Sequence, residues 1–477
     1  MTFSVCGLSA SAEDTVAPVP LDVPQVHIVT SDGNGLQLKK ADGYTDAAVT
    51  VTDTDGTEIS GEAQVKIRGN STSNLNKKPY TVKFSKKLDV LGMGKAKKWA
   101  LLANAFDSTQ LRNFVGVGIA AELGLDYTSE QRIVEVWMDG SFRGCYHLIE
   151  PVQEGSTRVD IDIESNGGMN DFLIEREYNR VEEGATYFRT NGIRFVCNEP
   201  EEPTGEQLAY IQGTMDDIIE TLKSGSREEI EQKIDVASFA KYYLLNEFIK
   251  PVDFDYSSVF FYYKGGKLYA GPAWDYDLSM GNEDAEASVN YAAAQKTDGF
   301  YCNTKHLYQW LCGYRWFFDE VRGVYLDHRD YLDSIGAQGG VIDTLYQTYR
   351  AAIDRNFTDA KWRIVYYKNF NRMPDSTYRE NLDYFKSWCA GRAAWLKSTF
   401  IGDDTPCIFG DADGDGDVTV LDATVIQRVL ALLPVQKYIE AVADTDGDGE
   451  VTILDATAIR LYLVNGLSDT GIGKPKP

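Results

Sequence analysis

The sequence predicts an α+β protein in two parts: a large domain with a β-rich front and a helical back, then a small all-α calcium-binding module. Three observations carry this reading. Short alternating apolar runs, broken by turn residues, fill the front. Helical periodicity dominates the stretch that follows. A duplicated acidic loop then closes the chain. At 477 residues the chain is long enough for two or more domains. A hydrophobic content of 43% excludes disorder, and no apolar run reaches the roughly 18 residues of a membrane span. The net charge of −25 argues against a nucleic-acid binder and suits a protein that handles divalent cations.

Residues 1–20 resemble the remnant of a secretory leader, with small residues at 8–12 before Glu13 and no basic start. A large domain follows over 21–402. Its predicted strands are AQVKIRG (63–69), YTVKF (80–84), WALLAN (99–104), RIVEVWMDGSFRGCYHLIE (132–150) and DFLIERE (171–177), with Asp139-Gly140 as a hairpin turn. One helix interrupts them at about 108–123, capped by Ser108 and ended by Gly124. Long helices are predicted near 203–223, 227–250, 303–331, 342–355 and 376–399. Between them lies the hairpin SSVFFYYKGGKLYAGPAW. Of seven cysteines, Cys6 would leave with a leader. Cys145, Cys197, Cys302, Cys312, Cys389 and Cys407 remain, as up to three disulfides or as free buried thiols.

After a linker at 403–410, DADGDGDVTVLDATVIQR (411–428) and DTDGDGEVTILDATAIRL (444–461) match at 12 of 18 positions, 33 residues apart. Each opens with a twelve-residue calcium loop, where hard oxygens at alternating positions can surround the ion. The first offers Asp411, Asp413, Asp415, Asp417, Thr419 and Asp422, with Gly416 at the sharp turn. The second offers Asp444, Asp446, Asp448, Glu450 through its carbonyl, Thr452 and Asp455. Position 12 is Asp rather than Glu, and only helices leaving the loops are expected. This duplicated loop-plus-helix over 411–467, with a tail at 468–477, resembles a type I dockerin. The resemblance implies calcium-dependent folding and docking to a cohesin module of a scaffoldin, hence a secreted, extracellular, cellulosome-associated protein. It also implies cohesin contact through Val420, Leu421, Gln427 and Arg428, and through Ile453, Leu454, Arg460 and Leu461.

Three clusters could carry chemistry. Residues 66–98 hold ten basic residues and one acidic one, around KIRGNSTSNLNKKPYTVKF. A Gly/Ser/Thr loop between an arginine and a lysine pair can offer N–H groups and cations to phosphate. Lys83 lies in the next strand, aimed opposite Val82. PVDFDYSSVFFYY (251–263), behind Asn246 and Glu247, is the second cluster, and GPAWDYDLSMGN (271–282) the third. They place Asp253, Asp255, Asp275 and Asp277 at the two ends of one hairpin. Converging carboxylates bind cations, share protons or repel, and phosphoryl transfer needs one acid for the acceptor and another for Mg²⁺.

The order RGNS, KKPY, LGMGKAKKWALLAN, LRN, HLIE and GPAWDYD resembles the CotH kinase family over about 62–285, and more loosely to about 400. The resemblance implies a two-lobed atypical protein-kinase-like domain, with a β-rich N-lobe, a helical C-lobe and an ATP site using Mg²⁺ or Mn²⁺. Asp253 would be the catalytic acid and Asp275 or Asp277 the metal ligand, Asp275 preferred. Lys83, Lys77 or Lys78 would contact phosphate, supported by Arg68, and Glu150 would orient that lysine. Ser258 stands where many members have asparagine, which weakens a second metal ligand. The function implied is transfer to protein side chains, by phosphorylation, AMPylation or glutamylation, on cellulosome partners or on the chain itself. The competing reading is a non-catalytic pseudokinase or a carbohydrate or cell-surface binding module. A glycoside hydrolase would need two carboxylates facing across a groove, and no motif nominates such a pair.

Overall fold

The computed structural model describes residues 21–178, 184–284, 286, 288–362, 376–401, 408–415, 417–435, 438–446, 449–465 and 471–474. The expected leader, Cys407, Gly416 and Asp448 lie outside them. The chain divides into two units, Met1–Ala393 and Ala394–Pro477.

In the first unit, seven strands form a closed barrel: β1 (Gln25–Thr30), β2 (Thr45–Thr52), β3 (Glu58–Ile67), β4 (Tyr80–Asp89), β5 (Lys95–Leu102), β6 (Gln131–Met138) and β7 (Ser141–Ile149). The order around the barrel is β1-β2-β3-β4-β5-β7-β6. Neighbours run antiparallel except β1 and β6, whose parallel pairing closes the ring. Alternation decides which residues fill it. Val65, Ile67, Tyr80, Val82, Phe84, Trp99 and Leu101 turn inward to the core. Lys66, Lys83 and Lys98, at the intervening positions, turn outward.

Helix α1 (Arg112–Glu122) follows β5. It begins later than 108, and Ser108 is not its cap. Asp107 holds the preceding turn instead, accepting from Thr109 N (2.9 Å) and Arg112 N (2.8 Å). A second sheet collects β8 (Phe172–Arg176), β9 (Tyr187–Thr190), β10 (Ile193–Glu199), β11 (Val259–Lys264) and β12 (Lys267–Ala270) in the order β12-β11-β8-β10-β9. The hairpin from the helical half thus completes a sheet begun in the front half.

The helices are α2 (Gly205–Ser224), α3 (Arg227–Lys233), α4 (Val236–Ile249), α5 (Val289–Gln295), α6 (Tyr308–Leu311), α7 (Arg315–Ser334), α8 (Val341–Thr358) and α9 (Tyr378–Phe400). Two expected helices are each broken. Residues 227–250 split at Asp235, whose side chain caps α4 by accepting from Ser238 N. Residues 303–331 split between α6 and α7, at Cys312–Tyr314. Helix α4 is buried almost throughout because α1, α7 and β12 all pack on it. At its C-terminal end Glu247 accepts from Tyr301 N and Cys302 N and pairs with buried Arg392 at 2.6 Å. The five described cysteines are free thiols. No described helix is long and apolar enough to cross a membrane.

In the second unit, α10 (Val420–Leu430) packs against α12 (Ile453–Asn465), and a short α11 (Glu440–Ala443) enters the second loop, an element the sequence did not suggest. A small core of Ala412, Ala423, Ile426, Ala443, Ala456 and Ile459 holds them. The two ends of the unit clasp: Phe409 N donates to Lys474 O (2.9 Å) and Gly473 N to Phe409 O (2.8 Å).

Candidate functional site

The β11–β12 hairpin places the acids. Asp253 sits in the turn after α4, its carbonyl accepting from Tyr256 N (2.7 Å) and Ser257 N (2.9 Å). Ser258 leads into β11, and Asp275 and Asp277 follow β12. Ser258 Oγ donates to Asp275 Oδ2 at 3.3 Å, which ties the two ends of the hairpin together. Both residues are left-handed, with φ of +62° and +65°. Such backbone is costly for residues with a Cβ and is found where the surroundings enforce it.

The carboxyls crowd one another. Asp277 is held well above the usual carboxylate range by burial and then by the charges of Asp275, Asp107 and Asp253. Asp275 is exposed by surface area, yet the protein atoms crowded around its carboxyl raise it too, against the opposing pull of Arg68 and the Ser258 hydroxyl. Asp277 is thus within electrostatic reach of both Asp275 and Asp253. Asp255 instead lies 3.9 Å from Arg176.

The loop before α1 is stitched to this end. Asn113 Oδ1 accepts from Tyr276 N at 2.5 Å, and Arg112 Nε donates to Ser279 O at 3.1 Å. Asn282 Nδ2 donates to Phe106 O (3.0 Å) and to Asp277 O (2.7 Å). Arg112 also pairs with buried Asp107 at 2.6 Å. The LRN and WDYD motifs are thus two halves of one interlock.

The basic residues part company. Arg68 stacks over Trp274 at 5.0 Å and is close enough to Asp275 to act on its charge. Lys83 and Lys66 both lie over Tyr44, at 5.6 and 4.7 Å, on the outer barrel face. Lys77 is buried, donating to Gln110 Oε1 (2.7 Å) and Cys145 O (2.6 Å), and burial pulls its amine down to about 7. Lys78 donates to Ser73 O. Among the described residues Glu150 pairs with no lysine: it accepts from Glu130 N and pairs with Arg158 at 3.3 Å.

Glu175 and Asp107 were missed by sequence reasoning. Glu175 lies on β8, the strand beside β11, and its Oε1 accepts from Ser258 N at 3.0 Å. Burial, then Glu177, lift its carboxyl to about 7. A lone acid within a strand gives no sequence signal; Asp107, just ahead of the LRN motif, gave a faint one.

The donor set fits Mg²⁺. Among the described residues no three of these acids bring oxygens within 4.8 Å of one another. Mg²⁺, however, takes one or two carboxylates plus phosphates and waters, and a cation would relieve the crowding that raises Asp275 and Asp277. Arg68 is a cation beside Asp275, and Lys77 and Lys78 donate to Gln110, Cys145 O and Ser73 O within the protein. A surface recess of about 430 Å³, lined by Glu220, Ser224, Glu229 and Lys233 among others, includes none of the site residues.

The loops of the second unit form two further sites. Asp411, Asp413 and Asp415 bring oxygens within 4.8 Å, as do Asp444, Asp446 and Asp455. Asp422 does double duty: its Oδ1 accepts from Asp413 N (2.9 Å) and its Oδ2 from Thr419 N (2.7 Å), a capping box at the start of α10. Asp455 repeats this with Thr445 N (2.6 Å) and Thr452 N (2.7 Å). Asp417 N donates to Asp415 Oδ1, and Glu450 lies in the second loop. Carboxylate oxygens at this density suit Ca²⁺. Val420, Leu421, Ile453, Leu454 and Leu461 are more than half exposed. Arg460 donates to Gln427 at 3.0 Å, joining equivalent positions of the two repeats, while Arg428 reaches Pro434 O.

A family model described as CotH kinase protein matches residues 65–396, and one described as Dockerin type I domain matches residues 409–464. A search of curated proteins finds no match. The dockerin implies a cohesin module as partner, an extracellular cellulosome-type association, and Ca²⁺ at the paired acidic loops.

Proposed function

This chain belongs to the CotH kinase protein family, and on that premise we propose that it is an ATP- and Mg²⁺-dependent transferase with a kinase-like two-lobed domain, carried to a scaffoldin by its dockerin. The placement of Asp253, Asp275 and Asp277 at the ends of one hairpin, with Ser258 Oγ bonded to Asp275, supports this best. Asp275, with the Ser258 hydroxyl and Asp277, would hold the cation against the phosphates. Arg68 on Trp274 would meet phosphate charge, with Lys83 on the outer barrel face as a second contact. Asp253 would orient the acceptor hydroxyl or amine. The cation supplies charge neutralisation at the transferring phosphoryl group. The acceptor is a protein side chain, on a cellulosome component or on this chain.

Calorimetry with ATP and Mn²⁺ tests the first step, and an absence of measurable binding would sink the proposal. Intact mass after incubation with ATP, with and without glutamate, reads the reaction as a phosphoryl, adenylyl or glutamyl gain. Asp275→Ala should abolish it. Ser258 at the asparagine position favours one other reading, a pseudokinase or carbohydrate-binding module. Retardation on cellulose, xylan or pectin gels by a protein that binds no nucleotide would establish it.

A further inference from the structure

Two residues with side chains, Ser258 and Asp275, hold left-handed backbone on facing sides of one hairpin, joined by a 3.3 Å hydrogen bond. Something must keep Ser258 there, since the conformation is disfavoured for any residue with a Cβ. Its amide is anchored outside the hairpin by Glu175. Register puts Glu175 opposite Phe260, two residues into the hairpin, so the side chain leans back along the strand to accept from Ser258 N at 3.0 Å. Its other oxygen accepts from Asn198 Nδ2 at 3.4 Å. Both carboxylate oxygens are thus spent on the protein, which is the pattern of a group that orients rather than reacts.

We infer that Glu175 is a positioning residue: it pins the Ser258 amide, fixes Ser258 left-handed and so aims its hydroxyl at Asp275, building the metal end of the site in advance. This rests on the reading of Asp275 as a cation ligand. Partners that orient metal-binding groups typically change affinity by about 10- to 100-fold when removed.

Glutamine is the discriminating substitution. In Glu175→Gln the side chain keeps an oxygen for the Ser258 amide, and its nitrogen can donate to Asn198 Oδ1, a buried atom with no hydrogen-bond partner among the described residues. Mn²⁺ affinity, measured by electron paramagnetic resonance without nucleotide, should fall roughly tenfold or more in Glu175→Ala and be restored in Glu175→Gln. In a Ser258→Gly background, where left-handed backbone costs nothing and no hydroxyl is left to aim, Glu175→Ala should lower Mn²⁺ affinity no further, and a second drop as large as the first would overturn the inference. Equal weakening by Gln and Ala would overturn the inference by showing that the charge acts on the ion itself. Wild-type affinity in Glu175→Ala would overturn it too. If the wild-type protein binds no Mn²⁺, the transferase reading fails separately. Ser258 amide exchange in the metal-free protein then decides: faster in Glu175→Ala than in wild type sustains the pinning, and no change refutes it.

Discussion

Gly116→Ala, on α1, should damage the acid site from behind. A Cβ at Gly116 would lie 2.4 Å from Tyr276 Cδ2 and 2.9 Å from its Cβ and Cγ. Carbon atoms pack at about 3.5–4.0 Å, so the ring must retreat by about 1 Å. It cannot do so alone. Tyr276 is buried, and its amide donates to Asn113 Oδ1 at 2.5 Å on the same helix, so separating ring from helix stretches that bond as well. Overpacking of this kind costs about 1–3 kcal/mol, or roughly 1–4 °C in Tm for a unit of this size. Because Tyr276 stands between Asp275 and Asp277, the shift reaches both carboxylates, and a displacement of about 1 Å can lower turnover about 100-fold. Gly118→Ala, two residues along α1, is the control. Its Cβ would meet only Tyr331 Oη, at 3.6 Å, an ordinary contact. It should be neutral or stabilising by up to about 1 kcal/mol through helix propensity. Differential scanning fluorimetry and Mn²⁺ titration of the two variants decide the matter. Indistinguishable Tm and Mn²⁺ affinity would refute the interlock of α1 with the WDYD loop.

Chelation of Ca²⁺ should lower the thermal transition of the dockerin unit, followed by circular dichroism, and Asp455→Ala should weaken Ca²⁺ binding in addition, since it removes acceptors for Thr445 N, Asp446 N and Thr452 N. Full resistance to a chelator would contradict the calcium assignment. His147, buried with both ring nitrogens unpartnered among the described residues, has its pKa pulled by burial down to about 3. The unfolded chain protonates this ring near pH 6.5 while the folded one does not, so stability is lost as pH falls below 6.5, by about 2 kcal/mol at pH 5. His147→Phe should flatten that acid limb in urea melts between pH 7 and 5, and an unchanged slope would count against the buried neutral ring.

The parts legible in the sequence were those whose geometry is local. The calcium loops declare themselves because their ligands fall within twelve consecutive residues, and Asp422 and Asp455 at position 12 also cap the helices that follow. The hairpin ends at Asp253 and Asp275 were legible for the same reason: strand alternation and a Gly-Gly turn leave few ways to fold that segment. What escaped was non-local. Nothing in QVHIVT at 25–30 announces a parallel partner more than a hundred residues away, yet that pairing closes the barrel. Glu175 reads as one more polar residue at the end of an apolar strand until β11 is laid beside it. A role for Glu150 beside a lysine came only from the CotH resemblance, whereas the residue it pairs with here is Arg158, on the following loop. The helix broken at Asp235 shows a different limit, since the apolar pattern runs on through a cap that only the backbone reveals.

Ring closure by β1 and β6 also bears on how an extended polypeptide could be recognised if the proposed transfer to a protein holds. The barrel has no unpaired strand, so an incoming polypeptide cannot extend it by β-augmentation. In the second sheet the outer strands are β12 and β9, each of four residues, and β12 already meets Ile234 through a parallel bridge. Main-chain recognition, which accepts almost any extended sequence, therefore has little template here. On the transferase reading proposed above, selection of an acceptor would fall to side-chain chemistry around Asp253, which would make the choice sequence-dependent rather than permissive.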